Sequence, residues 1–507
     1  MRSLRRLAPL AASSIVALAA LPGSATAARL PPGAAPYGLL ASNANFVPGK
    51  TVAERSASYR RLYRAGIRAI RLDVSWVQVE PVGKPLHDYD FRERDHEVAA
   101  ITRAGLRVIP ILAYGHPDYS SRGAFVGGTP LGGGIPPFYV ANAQYFPPDN
   151  PADFARYART VAHHYRRQAI GFEIWNEQNE GWRFWPPHED PAAYGRLLCA
   201  AYGAVKRSGS SAPVLFGGVF FPAIADEPGM SGPDFVEAAY RANPKLGHCY
   251  DAMAYHPYPY PFTAPELDVP VRGSVLAARD AMHAVIARHG DGRKPLWITE
   301  VGWPTHSRAY GVSEEKQGQY VARMNAATFA QRLPVLTWYT YGDYSDPTGA
   351  NQEAYFGFFR PDGTAKPSYF ALRTFSRVFA GARFSADRSR ALGLPPGRTN
   401  TGGRGFALQY RRRGARITAL WYANESVAEG QGPGPSGGTA NGATIQVRVP
   451  VRARRATIVG YLGASRTVAA HGGKLTLAVG PGPIYVVDQS PPPRSSTQGK
   501  GIGHRGA

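Results

Sequence analysis

Residues 170–177 read IGFEIWNE, an apolar, β-rich run that ends on Trp175-Asn176-Glu177 and passes into a loop. Residues 296–303, LWITEVGW, repeat the arrangement: an apolar run, Glu300 at its end, then Gly302-Trp303. Working outward, runs of the same kind recur at 37–42, 67–74, 107–113, 214–218, 250–255 and 335–339, which makes 170–175 the fourth of eight and 296–301 the seventh. Amphipathic segments suited to helices separate them at 52–65, 151–167, 191–207, 234–241, 275–289 and 313–330, and 367–379 closes the series. Eight β/α repeats in one region predict a (β/α)8 TIM barrel. An open doubly wound sheet is the competing architecture, but no G-x-G-x-x-G follows the first run to hold a dinucleotide.

In such a barrel the loops that follow the strands gather at one mouth, where active sites are built. Glu177 and Glu300, ending the fourth and seventh strands, then face each other across it. Cleaving a glycosidic bond with retention needs that pair. One carboxyl protonates the leaving oxygen and the other, ~5–5.5 Å away, attacks the anomeric carbon. Glu173 shares the parity of Glu177 but lies ~13 Å deeper at ~3.3 Å per residue, and reads as a buried, paired carboxylate. Glu180, in the same loop as Glu177, is the rival for the acid.

Trp175-Asn176-Glu177 together with Thr299-Glu300 and Gly302-Trp303 resembles the clan of retaining glycoside hydrolases built on a (β/α)8 barrel, over about residues 37–379. Within it the chain resembles glycoside hydrolase family 39, with family 5 the near alternative; a small C-terminal β domain favours family 39. The resemblance implies Glu177 as acid/base and Glu300 as nucleophile. Arg71 on the second strand would hold the nucleophile ionised; a core ion pair or a surface position is its plain structural alternative. His256 and Tyr258, after the sixth strand, would touch the sugar or the nucleophile, or His256 is structural. Trp338 would offer a platform for a sugar ring, or serve as ordinary core. Asn176 would donate to the 2-hydroxyl, and His116, at the start of the loop after the third strand, would reach the substrate. Trp303, with Trp182, Trp185, Tyr258 and Tyr260, would line a cleft.

The rest of the chain bounds this reading. It has 507 residues, Lys+Arg 58 against Asp+Glu 36 and a formal charge of +22. Residues 1–27 carry Arg2, Arg5 and Arg6, an apolar stretch and a small-residue Ala25-Thr26-Ala27, the pattern of a signal peptide. A secreted protein with no stable membrane insertion after cleavage is expected. Its two cysteines, Cys199 and Cys249, are either a disulfide or two buried thiols. Domain limits follow as 28–380 for the barrel, 381–489 for an antiparallel β-sandwich and 490–507 for a disordered Pro/Ser/Gly tail. The long loop 114–150, rich in Gly, Pro and aromatics, is expected to wall an open cleft. Arginines are scattered rather than gathered beside exposed aromatics, which argues against a nucleic-acid partner. No His/Asp/Glu set has metal-ligand spacing, and no cofactor is expected. The positive balance suggests steering of anionic glycans. The function expected is endo-acting, retaining hydrolysis of a β-linked polysaccharide or oligosaccharide; the alternative is a non-catalytic carbohydrate-binding protein on the same barrel.

Overall fold

The eight short runs pair in parallel and close on themselves: β1 (Leu39–Asn43), β2 (Ala69–Ser75), β3 (Arg107–Ala113), β4 (Phe172–Asn176), β5 (Val214–Phe220), β6 (Ala252–His256), β7 (Leu296–Val301) and β8 (Val335–Trp338), with β8 returning to β1. This computed structural model describes residues 38–120, 145–221, 229–259, 262–267, 274–306, 311–346, 349, 351–397, 403–425 and 443–489. The expected signal peptide, the tail, Tyr260 and most of the loop 114–150 lie outside the described residues.

The strand period of two builds the barrel in layers. Leu39, Ala41, Ala69, Ile109, Leu215, Ala254, Trp297 and Val335 fill its floor. Intervening positions such as Ile70, Leu72, Val74, Ile174 and Leu336 face the helices and join the main core. Those helices start where the sequence supplies a cap. Thr51, Asn150, Asp190, Ser231, Ser274 and Ser313 each accept a backbone N–H of the following turn, satisfying donors that the helix leaves unpaired. Among the described residues no helix is long and apolar enough to cross a membrane.

Two strands leave the regular register near their C-terminal ends. β5 shifts between Phe216 and Val219, and β7 between Ile298 and Val301. The second shift lets the consecutive residues Thr299 and Glu300 both reach the barrel interior, which strict alternation forbids.

Beyond the closing helix Pro367–Val378, the chain forms β9 (Arg383–Asp387), β10 (Arg404–Arg412), β11 (Ala415–Ala423), β12 (Ile445–Pro450), β13 (Arg455–Gly460), β14 (Ser465–Ala469), β15 (Lys474–Val479) and β16 (Ile484–Gln489). Six of them make a sheet in the order β14-β13-β16-β11-β10-β9, and β12 pairs with β15. One face of the larger sheet, with Tyr410, Ile417, Ala419, Trp421 and Tyr485, shares the barrel's core. The other, with Ala407, Leu420, Ile458 and Val486, is covered by Val447, Val449, Leu475 and Leu477 of the β12–β15 pair. The expected sandwich on the barrel is thus present, and β9 and β14 form the two edges of its larger sheet. Those two strands carry mostly exposed residues, so no apolar alternation marked them. Cys199 and Cys249 form a disulfide that ties the helix Pro191–Lys206 to the turn before β6.

The sheet is also pinned to the barrel by charge. Arg323, on the helix Glu314–Ala330, is fully buried and donates to both oxygens of Glu425 (3.1 and 2.8 Å) and to the Pro481 carbonyl (2.8 Å). Glu266 lies 3.6 Å from the same guanidinium and accepts Trp421 Nε1–H at 2.7 Å. Removing one partner of a buried ion pair leaves an uncompensated charge at a cost of about 3–5 kcal/mol. Arg323→Ala is therefore expected to lose stability on that scale in urea titrations, with the β domain melting ahead of the barrel. A variant within about 1 kcal/mol of the parent would show that this cluster does not couple the two.

Candidate active site

The polar layer above the barrel floor is organised by Arg71. It sits on the inward parity of β2, between Ala69 in the floor and Asp73 in the mouth, and is fully buried. Its guanidinium donates through Nε and Nη2 to the two oxygens of Glu173 (2.7 and 2.9 Å), through Nη2 to Asn176 Oδ1 (2.8 Å), and through Nη1 to Glu300. Burial opposes its charge, but Glu173 and then Glu300 outweigh that and hold its pKa above the ordinary value. Glu173 also accepts Gly218 N–H (2.8 Å) and Thr299 Oγ1–H (3.1 Å), so every bond it can use at the barrel centre is taken.

Glu300 stands above this layer. Asn43 Nδ2 donates to one oxygen at 3.1 Å and Tyr258 Oη–H to the other at 2.9 Å. Burial works against its charge, yet the His256 ring, the Arg71 guanidinium and these two hydrogen bonds prevail and hold its pKa below the usual carboxylate value. Glu177 faces a different environment. Its Oε1 meets His256 Nδ1 at 2.7 Å, and His256 Nε2 meets Thr299 Oγ1 at 3.0 Å. Because Thr299 gives its proton to Glu173, it must accept from Nε2–H. The contact between Nδ1 and Glu177 then needs one further proton, on the carboxyl beside a neutral ring or on the ring beside a carboxylate.

Backbone irregularity aims these groups. Trp175 (φ 72°) and Glu177 (φ 48°) both occupy the left-handed region, which is costly for residues with a side chain and is concentrated at functional sites. The turn is held by Glu177 N–H to the Gly218 carbonyl (2.9 Å) and by Trp175 Nε1–H to the Phe184 carbonyl (2.8 Å). Gly218 is required by space: a Cβ there would lie 2.1 Å from His256 Nε2 and 2.7 Å from Glu173 Oε1. Arg71 also orients Asn176, since taking Oδ1 as acceptor leaves the amide hydrogens to point elsewhere.

Above these residues opens a cavity of about 500 Å³ lined by Asn176, Glu177, Tyr258 and Glu300. One oxygen each of Glu177 and Glu300 and a ring nitrogen of His256 lie within 4.8 Å of one another. They could meet a cation only beside the Arg71 charge already committed to Glu300, so the arrangement suits proton transfer better than metal binding. Glu180 also lines the cavity.

The remaining expected residues lie elsewhere. Trp338 is buried in the main core against Trp303 and Phe358. The alternation that puts Val335 in the floor turns Tyr339, not Trp338, toward the mouth, and Tyr339 lines the cavity. Trp303 is buried, donating Nε1–H to the Thr263 carbonyl at 2.7 Å. His116 is buried against Trp76 and Tyr119, with Nε2 at 2.7 Å from the Glu80 carbonyl, and does not reach the cavity. Trp182 lines the cavity, whereas Trp185 packs beneath on Trp175. Sequence reasoning passed over Asn43, Asp73, Tyr114, Tyr339 and Glu353, all in the wall. Strand parity with Arg71 would have pointed to Asp73.

No family model matches the chain, and no curated protein matches its sequence. Solved structures share its fold, a (β/α)8 barrel followed by a β domain. A family 39 glycoside hydrolase from the gut symbiont Bacteroides cellulosilyticus WH2 superposes with a TM-score of 0.64 at 20% identity, over 89% of this chain and 80% of that one. A GH39 β-xylosidase from Caulobacter crescentus gives 0.57 at 16% identity, over 90% and 97%. The catalytic domain of GH30 xylanase C from Talaromyces cellulolyticus gives 0.53 at 12% identity, over 90% and 98%. At these identities the likeness is one of fold.

The hydrogen bonds to Glu300 make a direct prediction. Tyr258→Phe removes a donor to the charged form, so the Glu300 pKa should rise. Carboxyl-selective ¹³C NMR titration against a Glu300→Gln control reads it, and an unchanged midpoint would show that Tyr258 does not stabilise the carboxylate.

Proposed function

We propose that this chain is a secreted, retaining glycoside hydrolase of the family 39 type that cleaves β-glycosidic bonds of a polysaccharide or oligosaccharide. The observation that carries the reading is the approach of Glu177 and Glu300 to within 4.8 Å across the cavity. That separation suits direct attack by one carboxylate; inversion needs roughly 6.5–9.5 Å, to seat a water between.

The two environments divide the labour. Glu300, kept ionised, attacks the anomeric carbon while Glu177 gives its proton to the departing glycosidic oxygen. The carbon–oxygen bond breaks as the Glu300–sugar ester forms. Attack spends the charge of Glu300 and leaves Glu177, its proton gone with the leaving group, as a carboxylate that can take a proton from water, and the water restores both groups with net retention. His256, hydrogen-bonded to Glu177, offers a second seat for the proton between the two steps. The free amide hydrogens of Asn176 face the cavity where a 2-hydroxyl would sit. The signal-like residues 1–27 and the disulfide support export to an oxidising compartment. Endo action remains the reading of the long loop 114–150, and product length decides it: a ladder of oligosaccharides for endo, monosaccharide from the first minutes for exo.

Azide rescue tests the roles. Glu300→Ala should abolish turnover of aryl β-glycosides and, with azide, yield a glycosyl azide of inverted configuration. Glu177→Ala should keep the first step for good leaving groups and yield a retained azide. The same stereochemistry from both variants would sink the assignment, and full activity in either would sink the pair.

A further inference from the structure

Asp73 is the one residue of β2 whose side chain is exposed, and that exposure opens into the cavity. It stands two positions above Arg71 on the same inward parity, beside Asn43 and Tyr114 in the wall. Arg71 is wholly engaged below it by Glu173, Asn176 and Glu300. Arg94 reaches only the Asp73 backbone carbonyl, at 3.1 Å. The Asp73 carboxylate itself makes no hydrogen bond and no ion pair with any described residue. Enclosure by the cavity walls pushes its pKa up against the pull of Arg71, and the charge of Glu300 adds to the rise. A carboxylate that faces a cavity without a partner in the fold is an acceptor left open to a ligand.

The charge around it narrows what that ligand is. The cavity wall holds five carboxylates and two guanidiniums, Arg71 and Arg183, and Arg71 is spent on Glu173 and Glu300. Although the chain as a whole carries +22, a uronate entering here would meet like charge with no free guanidinium from Arg71. Sugar hydroxyls, by contrast, are donors that a carboxylate accepts strongly, two at a time when they are adjacent.

We propose that Asp73 is a substrate-binding residue that accepts hydrogen bonds from adjacent hydroxyls of the sugar lying against Glu300, and that the site takes a neutral glycone and rejects uronides. This rests on the glycosidase reading above. The steering of anionic glycans suggested by net charge does not extend into the cavity.

The test compares the full-length parent and Asp73→Asn on neutral 4-nitrophenyl β-pentosides and β-hexosides, on monodeoxy analogues of the best substrate, and on the β-glucuronide and β-glucosaminide. Asp73→Asn should lower kcat/KM on the best neutral glycoside roughly 10- to 100-fold, the scale of a hydrogen bond to a charged group. Its melting temperature should stay equal or rise, since no contact within the fold is lost. Deleting the sugar hydroxyl that meets Asp73 should cost the parent a similar factor and the variant little more. Deoxy penalties that persist undiminished in Asp73→Asn, or preference of the parent for the glucuronide or the glucosaminide, would overturn the proposal. A parent that releases neither nitrophenol from these glycosides nor reducing ends from β-linked polysaccharides and oligosaccharides overturns the glycosidase reading instead, so the two failures are distinct.

Discussion

A guanidinium buried at the centre of a barrel has to be neutralised, and the way Arg71 is neutralised sets the geometry of everything above it. Its planar fork spends two donors on Glu173, which fixes the plane, and the remaining directions then fall on Asn176 from β4 and Glu300 from β7. Strands on opposite sides of the barrel are thereby tied through one rigid group. A lysine would bring charge but no plane. The arrangement also fixes a polarity: Glu300 receives charged and neutral donors, whereas Glu177 receives a ring nitrogen that can give or take a proton. Two glutamates with identical intrinsic chemistry are made different by what lies beneath them.

The barrel was legible because its signal is redundant. Eight apolar runs, each followed by an amphipathic segment, leave few topologies open, and the strand ends inherit their location from the count alone. Glu177 and Glu300 could be placed in this way, Arg71, Asn176, His256 and Tyr258 were singled out by the resemblance, and the structure brings all six into one connected network. The readings that fell elsewhere have a common cause. Trp338, Trp303 and His116 were chosen by residue type and nearness to a strand end, and such residues serve a core as readily as a cavity. Parity separates the two uses. Trp338 sits one position out of phase with Val335 and Tyr339, and that single step moves it from the mouth to the helical layer. Parity has its own limit, since the shift in β7 turns Glu300 inward directly after Thr299 and nothing local in 296–301 announces it. The edge strands β9 and β14 were invisible for the opposite reason, having almost no buried residues with which to write a pattern.

Net charge is the property that transfers worst from sequence to site. An excess of arginine spread over a surface acts through solvent and salt, and its field is screened within ~10 Å at 0.1 M. Among the described residues the two fully buried arginines are both committed: Arg71 to the glutamates below the cavity, Arg323 to Glu425 and Glu266 at the seam with the β domain. A buried guanidinium with its carboxylates satisfied offers nothing further to an anion. What a ligand meets in the cavity is therefore set by its own lining, in which carboxyl and phenol oxygens outnumber the guanidiniums of Arg71 and Arg183.

The site also shows where the chain gives up local regularity for function. Trp175 and Glu177 take backbone conformations that disfavour side chains, and Gly218 gives up its own so that His256 and Glu173 can occupy the space. These departures support one another. The left-handed turn lowers Glu177 onto His256, and His256 can be there only because Gly218 has no Cβ. Its Nε2–H is then accepted by Thr299, which faces inward on the parity of Trp297. The irregularities on β4 and β5 thus meet at the single proton shared between Glu177 and His256, and the slip in β7 turns Glu300 inward beside them. Packing alone would have removed each of them, and their joint presence at one point is best accounted for by the proton that they position.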